Sequence, residues 1–263
     1  MWHTIFFQPL LNALIFTYNL LGSNLGFAII GITVVIRGLL TPLTLPSLRS
    51  SQKMKELQPE ISKLKEKYSS DKQAFAKAQL ELFKSKGVNP AAGCLPQIVQ
   101  LVILIALYQA FTLVLKADGN LVANLNNVLY PSLQVPADFV LNTKFLYLNL
   151  AQPDLFIIPG IKLGSLTLNK IPGIFLILAA LVQFLSSKMM MPGAKAAEKK
   201  ADKTKTQTDD FASSMQTQML YLFPLMTLFI GFTFPSGLIL YWFTFSLIML
   251  IQQLLLNKNA KKN

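Results

Sequence analysis

The chain has 263 residues, of which 52% are hydrophobic and only 14% charged, and its mean hydropathy is +0.47. This composition excludes a protein that is surrounded by water on all sides. The 24 Lys and Arg against 12 Asp and Glu give a formal net charge of +12, which fits either a nucleic-acid partner or an anionic membrane surface.

Residues 1–23 are predicted to form an external amphipathic helix that lies along the membrane interface. The stretch is apolar but contains Pro9, and it has polar or amphipathic side chains at Trp2, His3, Gln8, Asn12 and Asn19. Such a mixture favours the interface over a full membrane span. A signal peptide fits less well, because no basic stretch precedes the apolar run.

Five later apolar runs predict five transmembrane helices. They comprise residues 24–46, 94–116, 170–188, 217–234 and 236–256. At 1.5 Å per residue, runs of about 20 residues cross a hydrocarbon core of about 30 Å.

A cytoplasmic helical hairpin is predicted between the first two spans, at residues 47–93. Apolar residues recur there at helical spacing, at Met54, Leu57, Ile61, Leu64 and Tyr68 and again at Phe75, Ala78 and Leu82. Asp71 offers an N-cap between the two stripes, Pro59 indicates a helix start or a kink, and Gly87 and Pro90 end the second helix. The predicted fold class is therefore all-α, a polytopic membrane protein with an interfacial helix and this hairpin.

Basic residues in the connecting segments predict the orientation, since Lys and Arg are retained on the cytoplasmic side. Residues 1–24 contain none and 117–170 contain three, whereas 46–94 contain ten and 186–216 contain six. The N-terminus and the loop 117–169 are therefore expected outside, and the hairpin, the linker 189–216 and the basic tail 257–263 in the cytoplasm. Because topology explains the basic excess, no specific nucleic-acid partner is expected.

Arg37 is the most informative residue of the sequence. It lies about 18 Å into the first span, where an arginine costs about 2.5 to 3.5 kcal/mol and keeps its charge. All 12 Asp and Glu fall in segments predicted to lie outside the bilayer, so no internal carboxylate is available to pair with it.

Hydroxyl and amide groups are the expected surroundings of Arg37. Thr33 and Thr41 lie four residues before and after it, on the same helix face. The later spans add Gln100, Gln183 and Trp242, so these residues are expected to line a hydrophilic, water-filled groove. Two alternatives stay open: Arg37 extends to the cytoplasmic headgroups, and each polar residue bonds only a neighbouring helix.

Several motifs in the chain resemble those of one known family. They are Ile36–Leu43, Leu57–Ile61, Gly87–Pro90, Gly93–Pro96, Phe145–Leu150, Gln152–Asp154, Phe234–Leu238, Leu240–Trp242 and Gln252–Gln253. In this order they resemble the YidC/Oxa/Alb family of membrane protein insertases over nearly the whole chain. The resemblance implies a bacterial plasma-membrane protein with its N-terminus outside and its C-terminus in the cytoplasm.

The resemblance also implies an activity. Hydrophobic segments of nascent membrane proteins would enter the groove that contains Arg37 and leave it sideways into the bilayer. The ribosome and the Sec translocase are the further partners that it implies. A helix-assembly chaperone without insertion activity remains an alternative, because the same groove would serve both tasks.

Other classes of function fit less well. A transporter normally couples through carboxylates or histidines within its spans. An enzyme would need a nucleophile with a base, and one His and one Cys leave little from which to build such a site. We therefore expect no enzymatic activity, no cofactor and no metal.

Overall fold

The computed structural model describes residues 1–69, 71–88, 95–115, 120–163, 166–190, 220–222 and 224–260. Most of these residues are helical. The helices are a π-helical turn His3–Phe7, α1 (Gln8–Leu20), α2 (Leu25–Glu56), α3 (Gln58–Lys67), α4 (Lys72–Ser85), α5 (Leu95–Leu115), α6 (Leu121–Asn126), a 3-10 turn Pro131–Leu133, α7 (Ile174–Met190), α8 (Leu220–Gly231) and α9 (Ser236–Ala260). The strands are β1 (Lys144–Phe145), β2 (Leu148–Asn149), β3 (Leu155–Leu163) and β4 (Leu166–Pro172).

Three helical segments within the described residues are long and apolar enough to cross a membrane, at Leu25–Met54, Ile98–Leu115 and Ser236–Lys258. Two shorter apolar helices, Ile174–Met189 and Leu220–Gly231, accompany them. Several apolar helices are what a polytopic membrane protein requires. The count of five spans stays a prediction.

Helix α2 continues well beyond the apolar segment with which it begins. It runs through Pro42 and Pro46 to Glu56, so the expected boundary between a span at 24–46 and a hairpin at 47–93 falls inside one helix. Each proline removes one backbone hydrogen bond, and the remaining bonds of the helix continue on both sides. Asp71 caps α4 as expected, with its Oδ1 accepting from the Ala74 amide at 2.9 Å.

Two residues of the polar stripe on α1, Gln8 and Asn12, contact protein, whereas Asn19 is exposed. The side chain of Asn12 is only 2% exposed; its Nδ2 donates to the Val128 carbonyl, and its Oδ1 accepts from the Tyr130 amide at 2.7 Å. Gln8 Nε2 also donates to the Val128 carbonyl, at 3.0 Å. These amides therefore fix α1 against the segment that follows α6, and the interfacial position of residues 1–23 stays a prediction.

Among the described residues, two antiparallel β hairpins accompany the helices, so the fold class all-α was incomplete. Strand β1 pairs with β2, and β3 pairs with β4, in which Phe156 lies opposite Ile171 and Ile157 opposite Lys170. The β3–β4 register shifts between Ile157 and Ile161. Both pairs lie in or next to residues 117–169, where the sequence predicts only an external loop.

The loop between β2 and β3 holds the first turns of two apolar helices. The amide of Ser236, at the start of α9, donates to the Gln152 carbonyl at 2.7 Å. The amide of Leu176, in the first turn of α7, donates to Asp154 Oδ2 at 2.9 Å. A Cβ on Gly173 would lie 1.8 Å from Asp154 Oδ1, so the close approach of loop and helix requires glycine there. Helix α9 then packs along α7, α2 and α5, which brings the groups around Arg37 together.

Candidate functional site

Arg37 is buried between α2 and α9. Its side chain is 6% exposed, and its Cζ lies 4.0 Å from the centroid of the Phe245 ring of α9. A guanidinium over an aromatic face is attracted by the negative face of the ring, and the attraction strengthens where water is excluded. The last apolar helix therefore supplies the aromatic surface on which the charge rests.

No carboxylate among the described residues pairs with this cation. Arg37 Nε and Nη2 are buried and have no hydrogen-bond partner in the part of the chain that the structure describes. Buried polar groups are usually hydrogen-bonded, and a buried charge without a partner is uncommon. Across the described ranges, no three His, Cys, Asp or Glu side chains come together as a metal site would need.

Tyr241 connects the Arg37 region to α5. It lies one turn before Phe245 on α9, the two ring centroids are 6.2 Å apart, and its side chain is 2% exposed. Its hydroxyl accepts a hydrogen bond of 2.7 Å from Gln100 Nε2. Gln100, a predicted groove residue, thus contacts the same aromatic face of α9 that covers Arg37.

The two predicted threonines donate to the backbone of their own helix. Thr33 Oγ1 donates to the Ile29 carbonyl at 2.5 Å, and Thr41 Oγ1 donates to the Arg37 carbonyl at 2.6 Å. Thr41 Oγ1 also accepts from Gln252 Nε2 at 2.9 Å. Thr41 therefore joins α2 to α9 one turn after Arg37, and Thr33 keeps only its acceptor lone pairs for other groups.

Gln183 and Trp242 make no hydrogen bond or ring contact with Arg37. Gln183 Oε1 accepts from Thr227 Oγ1 at 2.5 Å, which joins α7 to α8. Trp242 is half-buried on α9 and follows Tyr241 by one residue, so its side chain is turned about 100° around the helix from the aromatic face. Of the six predicted site residues, the structure thus connects Arg37, Thr41 and Gln100 most directly.

Sequence reasoning missed Tyr241, Phe245 and Gln252 as site residues. The available signal was the four-residue spacing of the two rings, together with two glutamines near the end of an apolar helix. Gln253 Nε2 donates to Ser186 Oγ at 3.4 Å, and Gln52 Nε2 donates to Asn257 Oδ1 at 3.0 Å. These amides join α9 to α7 and α2 beyond Arg37.

Known proteins resemble this chain over most of its length. The family model described as 60Kd inner membrane protein matches residues 16–263. The membrane protein insertase YidC of Fusobacterium nucleatum is 35% identical over 238 residues, which cover 90% of this chain and 88% of that protein. The YidC of Oceanobacillus iheyensis is 30% identical over 261 residues, covering 98% and 84%. YidC 2 of Listeria innocua is 32% identical over 267 residues, covering 99% and 73%. The chain therefore belongs to the 60Kd inner membrane protein family, the family of YidC insertases that the motifs around Arg37 indicated.

Proposed function

We infer that this protein inserts nascent membrane proteins into a bilayer. The buried Arg37 guanidinium, which has no carboxylate partner among the described residues, is the observation that carries the proposal. The names of its relatives as insertases support the same activity. The partners of the reaction are then a nascent hydrophobic segment and the lipid that receives it.

Electrostatics explains how Arg37 would act on a substrate. Charges attract more strongly where water is excluded, so a carboxylate on an incoming chain is drawn towards the guanidinium. The substrate then provides the acceptor that Nε and Nη2 lack. A polar substrate segment that is bound at the depth of Arg37 has only the rest of the hydrocarbon core left to cross.

Release into lipid is driven by burial of the apolar part of the substrate. About 25 cal/mol is gained per Å² of apolar surface removed from water, so no nucleotide is needed. The third and fifth spans are the expected path of the sliding segment, and exposed apolar side chains lie on both, at Ile177 and Leu181 on α7 and at Ile251 and Leu254 on α9.

The groove would comprise Arg37, Thr33, Thr41, Gln100, Gln183 and Trp242. Gln100 and Thr41 have the strongest structural support, because each is hydrogen-bonded to α9 near Arg37. Gln183 and Trp242 rest on the polar groups that the sequence places in the later spans. A bacterial plasma membrane, an external N-terminus, and contacts with the ribosome and the Sec translocase belong to the same proposal.

A reconstituted insertion assay tests the role of Arg37. The purified protein in liposomes receives a single-span substrate with acidic residues in its short translocated tail, and insertion is scored by protease protection. Arg37→Ala should lower the protected fraction on the order of tenfold, since it removes the charge, whereas Arg37→Lys should retain most of it. Arg49→Ala is the matched control, because it removes the only other arginine, which is exposed on the same helix.

Equal insertion by Arg37→Ala and the unmodified protein would contradict the mechanism. An equal loss in Arg49→Ala would show that overall charge, rather than the buried site, matters. A substrate that cross-links next to Arg37 without ever becoming protected would favour the chaperone alternative.

A further inference from the structure

The β3–β4 hairpin carries apolar side chains that stay exposed among the described residues. Ile157 is 84% exposed, Phe156 41% and Ile171 39%. An isolated two-stranded hairpin is only marginally stable in water and needs a further surface to pack against. The base of this hairpin therefore needs an apolar partner.

The described apolar part of α7, Ile174–Met189, is shorter than a full membrane span. Its 16 residues extend about 24 Å, whereas a hydrocarbon core is about 30 Å thick. The residues that precede Ile174 offer apolar surface for the remaining thickness.

The exposed apolar side of α7 continues directly into the hairpin. Ile174, Ile177, Leu181 and Leu185 are all exposed along one side of α7. Only Gly173 separates the helix from β4, and Phe156 faces Ile171 across the strand pair. At about 3.3 Å per residue, Ile171 and Pro172 of β4 add about 7 Å to the 24 Å of the helix, close to the 30 Å thickness of a hydrocarbon core.

We propose that the base of the β3–β4 hairpin lies in the lipid leaflet at the N-terminal end of α7. Phe156 and Ile171 on one face of the strand pair and Ile157 on the other face contact the upper acyl chains, and lipid is the partner of both faces. Lys170, exposed opposite Ile157, extends to the phosphates of the headgroups. Tyr147 stacks on Phe156 with ring centroids 6.0 Å apart, as an aromatic ring at a membrane interface would.

Two contacts fix the depth of the hairpin relative to α7. The Gly173 amide donates to the Asp154 carbonyl at 2.8 Å, and the Asp154 side chain accepts from the amide of Leu176. Because both bonds join the base of the hairpin to the first turn of the helix, the hairpin and the span move together. The hairpin then acts as an anchor that holds the end of α7 at the interface.

Depth-dependent fluorescence quenching of the full-length protein in vesicles tests the proposal. A small environment-sensitive dye is attached to Ile157→Cys after the native Cys94 is replaced by serine. The vesicles contain phosphatidylcholine and phosphatidylglycerol, with a spin label high on the acyl chain. We expect the lipid spin label to quench this dye several-fold more than aqueous iodide does. Ala137→Cys, in an exposed turn between α6 and β1, is the control. Its dye should be quenched more by iodide than by the lipid spin label.

Quenching of the dye at position 157 by iodide, as strong as at 137, would overturn the proposal, because the base of the hairpin would then be exposed to water. Quenching by neither agent would also overturn it, because a second copy of the chain would then cover the surface. Ile171→Cys gives an independent reading of the same depth, and its dye should again respond to the lipid spin label.

Discussion

At the scale of single residues, the surroundings of Arg37 stabilise its charge without using its Nε and Nη2 donors. A cation over the face of an aromatic ring interacts through the ring quadrupole, so its N–H groups stay free. Arg37 Cζ makes this contact at 4.0 Å from the centroid of the Phe245 ring. Its Nε and Nη2 have no hydrogen-bond partner among the described residues. The site thus holds a positive charge and still offers hydrogen bonds to an incoming carboxylate.

Replacing Phe245 tests whether the ring matters for activity. Phe245→Leu removes a contact worth about 2 kcal/mol when it is desolvated, so insertion of an acidic-tailed substrate should fall on the order of tenfold. Phe245→Tyr keeps the aromatic face and should retain activity. The protease-protection assay in liposomes measures both variants.

Phe243→Leu is the matched control on the same helix. Phe243 packs edge-on against Phe175, with ring centroids 5.7 Å apart, and has no ring contact with Arg37. If both leucine variants lose activity equally, loss of packing in α9 explains the effect and the cation–π contact does not.

The sequence revealed the charge but not its neighbours. The depth of Arg37 and the missing carboxylate follow from the apolar run and the positions of the 12 acidic residues. Tyr241 and Phe245 lie more than 200 residues further along the chain. Helix α9 is apolar on most sides, so its sequence does not indicate which side faces α2. Only packing in the folded protein fixes the rotation of α9 about its axis.

At the scale of elements, Asp154 organises the start of α7. Its side chain is 4% exposed, and it accepts from the Leu176 amide at 2.9 Å and from the Tyr147 hydroxyl at 3.1 Å. A carboxylate at a helix N-terminus satisfies amides that have no partner within the helix and interacts favourably with the helix dipole. Burial raises the pKa of Tyr147, so the phenol keeps its proton and continues to donate.

Asp154→Asn should therefore destabilise the protein. The asparagine side chain keeps one acceptor oxygen, but its NH₂ group faces the Leu176 amide or the Tyr147 hydroxyl, which are donors themselves. We therefore expect the free energy of unfolding to fall by about 1 to 2 kcal/mol and the melting temperature in detergent to drop. Asp138→Asn changes an exposed acidic residue between α6 and β1, and it should leave the melting temperature unchanged. A similar drop in both variants would point to a general charge effect instead of capping.

The sequence predicted the helices better than the strands. The apolar runs and the Asp71 cap follow simple spacing rules, and the structure shows helices there. Residues 155–172 mix apolar residues with Pro159, Gly160 and Gly164, which hides the alternation of a strand. The span predicted at 24–46 likewise ends with the apolar run, whereas α2 continues to Glu56, because hydrogen bonding on either side of its two prolines maintains the helix.

At the scale of the whole molecule, the two ends of the helix bundle are joined differently. Where α7 and α9 begin, amides of the helices bond the β2–β3 loop at Asp154 and Gln152. At the opposite end, side-chain amides make the connections, such as Gln52 with Asn257 and Gln252 with Thr41. Long side chains rearrange more easily than backbone bonds, so the second end is the better candidate for substrate entry.

The orientation of the molecule is the remaining prediction, and it follows from charge. Ten basic residues lie in 46–94 but three in 117–170, and each Lys or Arg near the anionic inner leaflet contributes about 1 kcal/mol. In right-side-out vesicles and a Cys94→Ser background, a membrane-impermeant maleimide should label Ala137→Cys at once. It should label Ser85→Cys, exposed at the end of α4, only after permeabilisation. If position 85 is labelled at once and position 137 only after permeabilisation, the bundle end joined by Gln52–Asn257 and Gln252–Thr41 lies outside. That result would contradict entry of substrates from the cytoplasm.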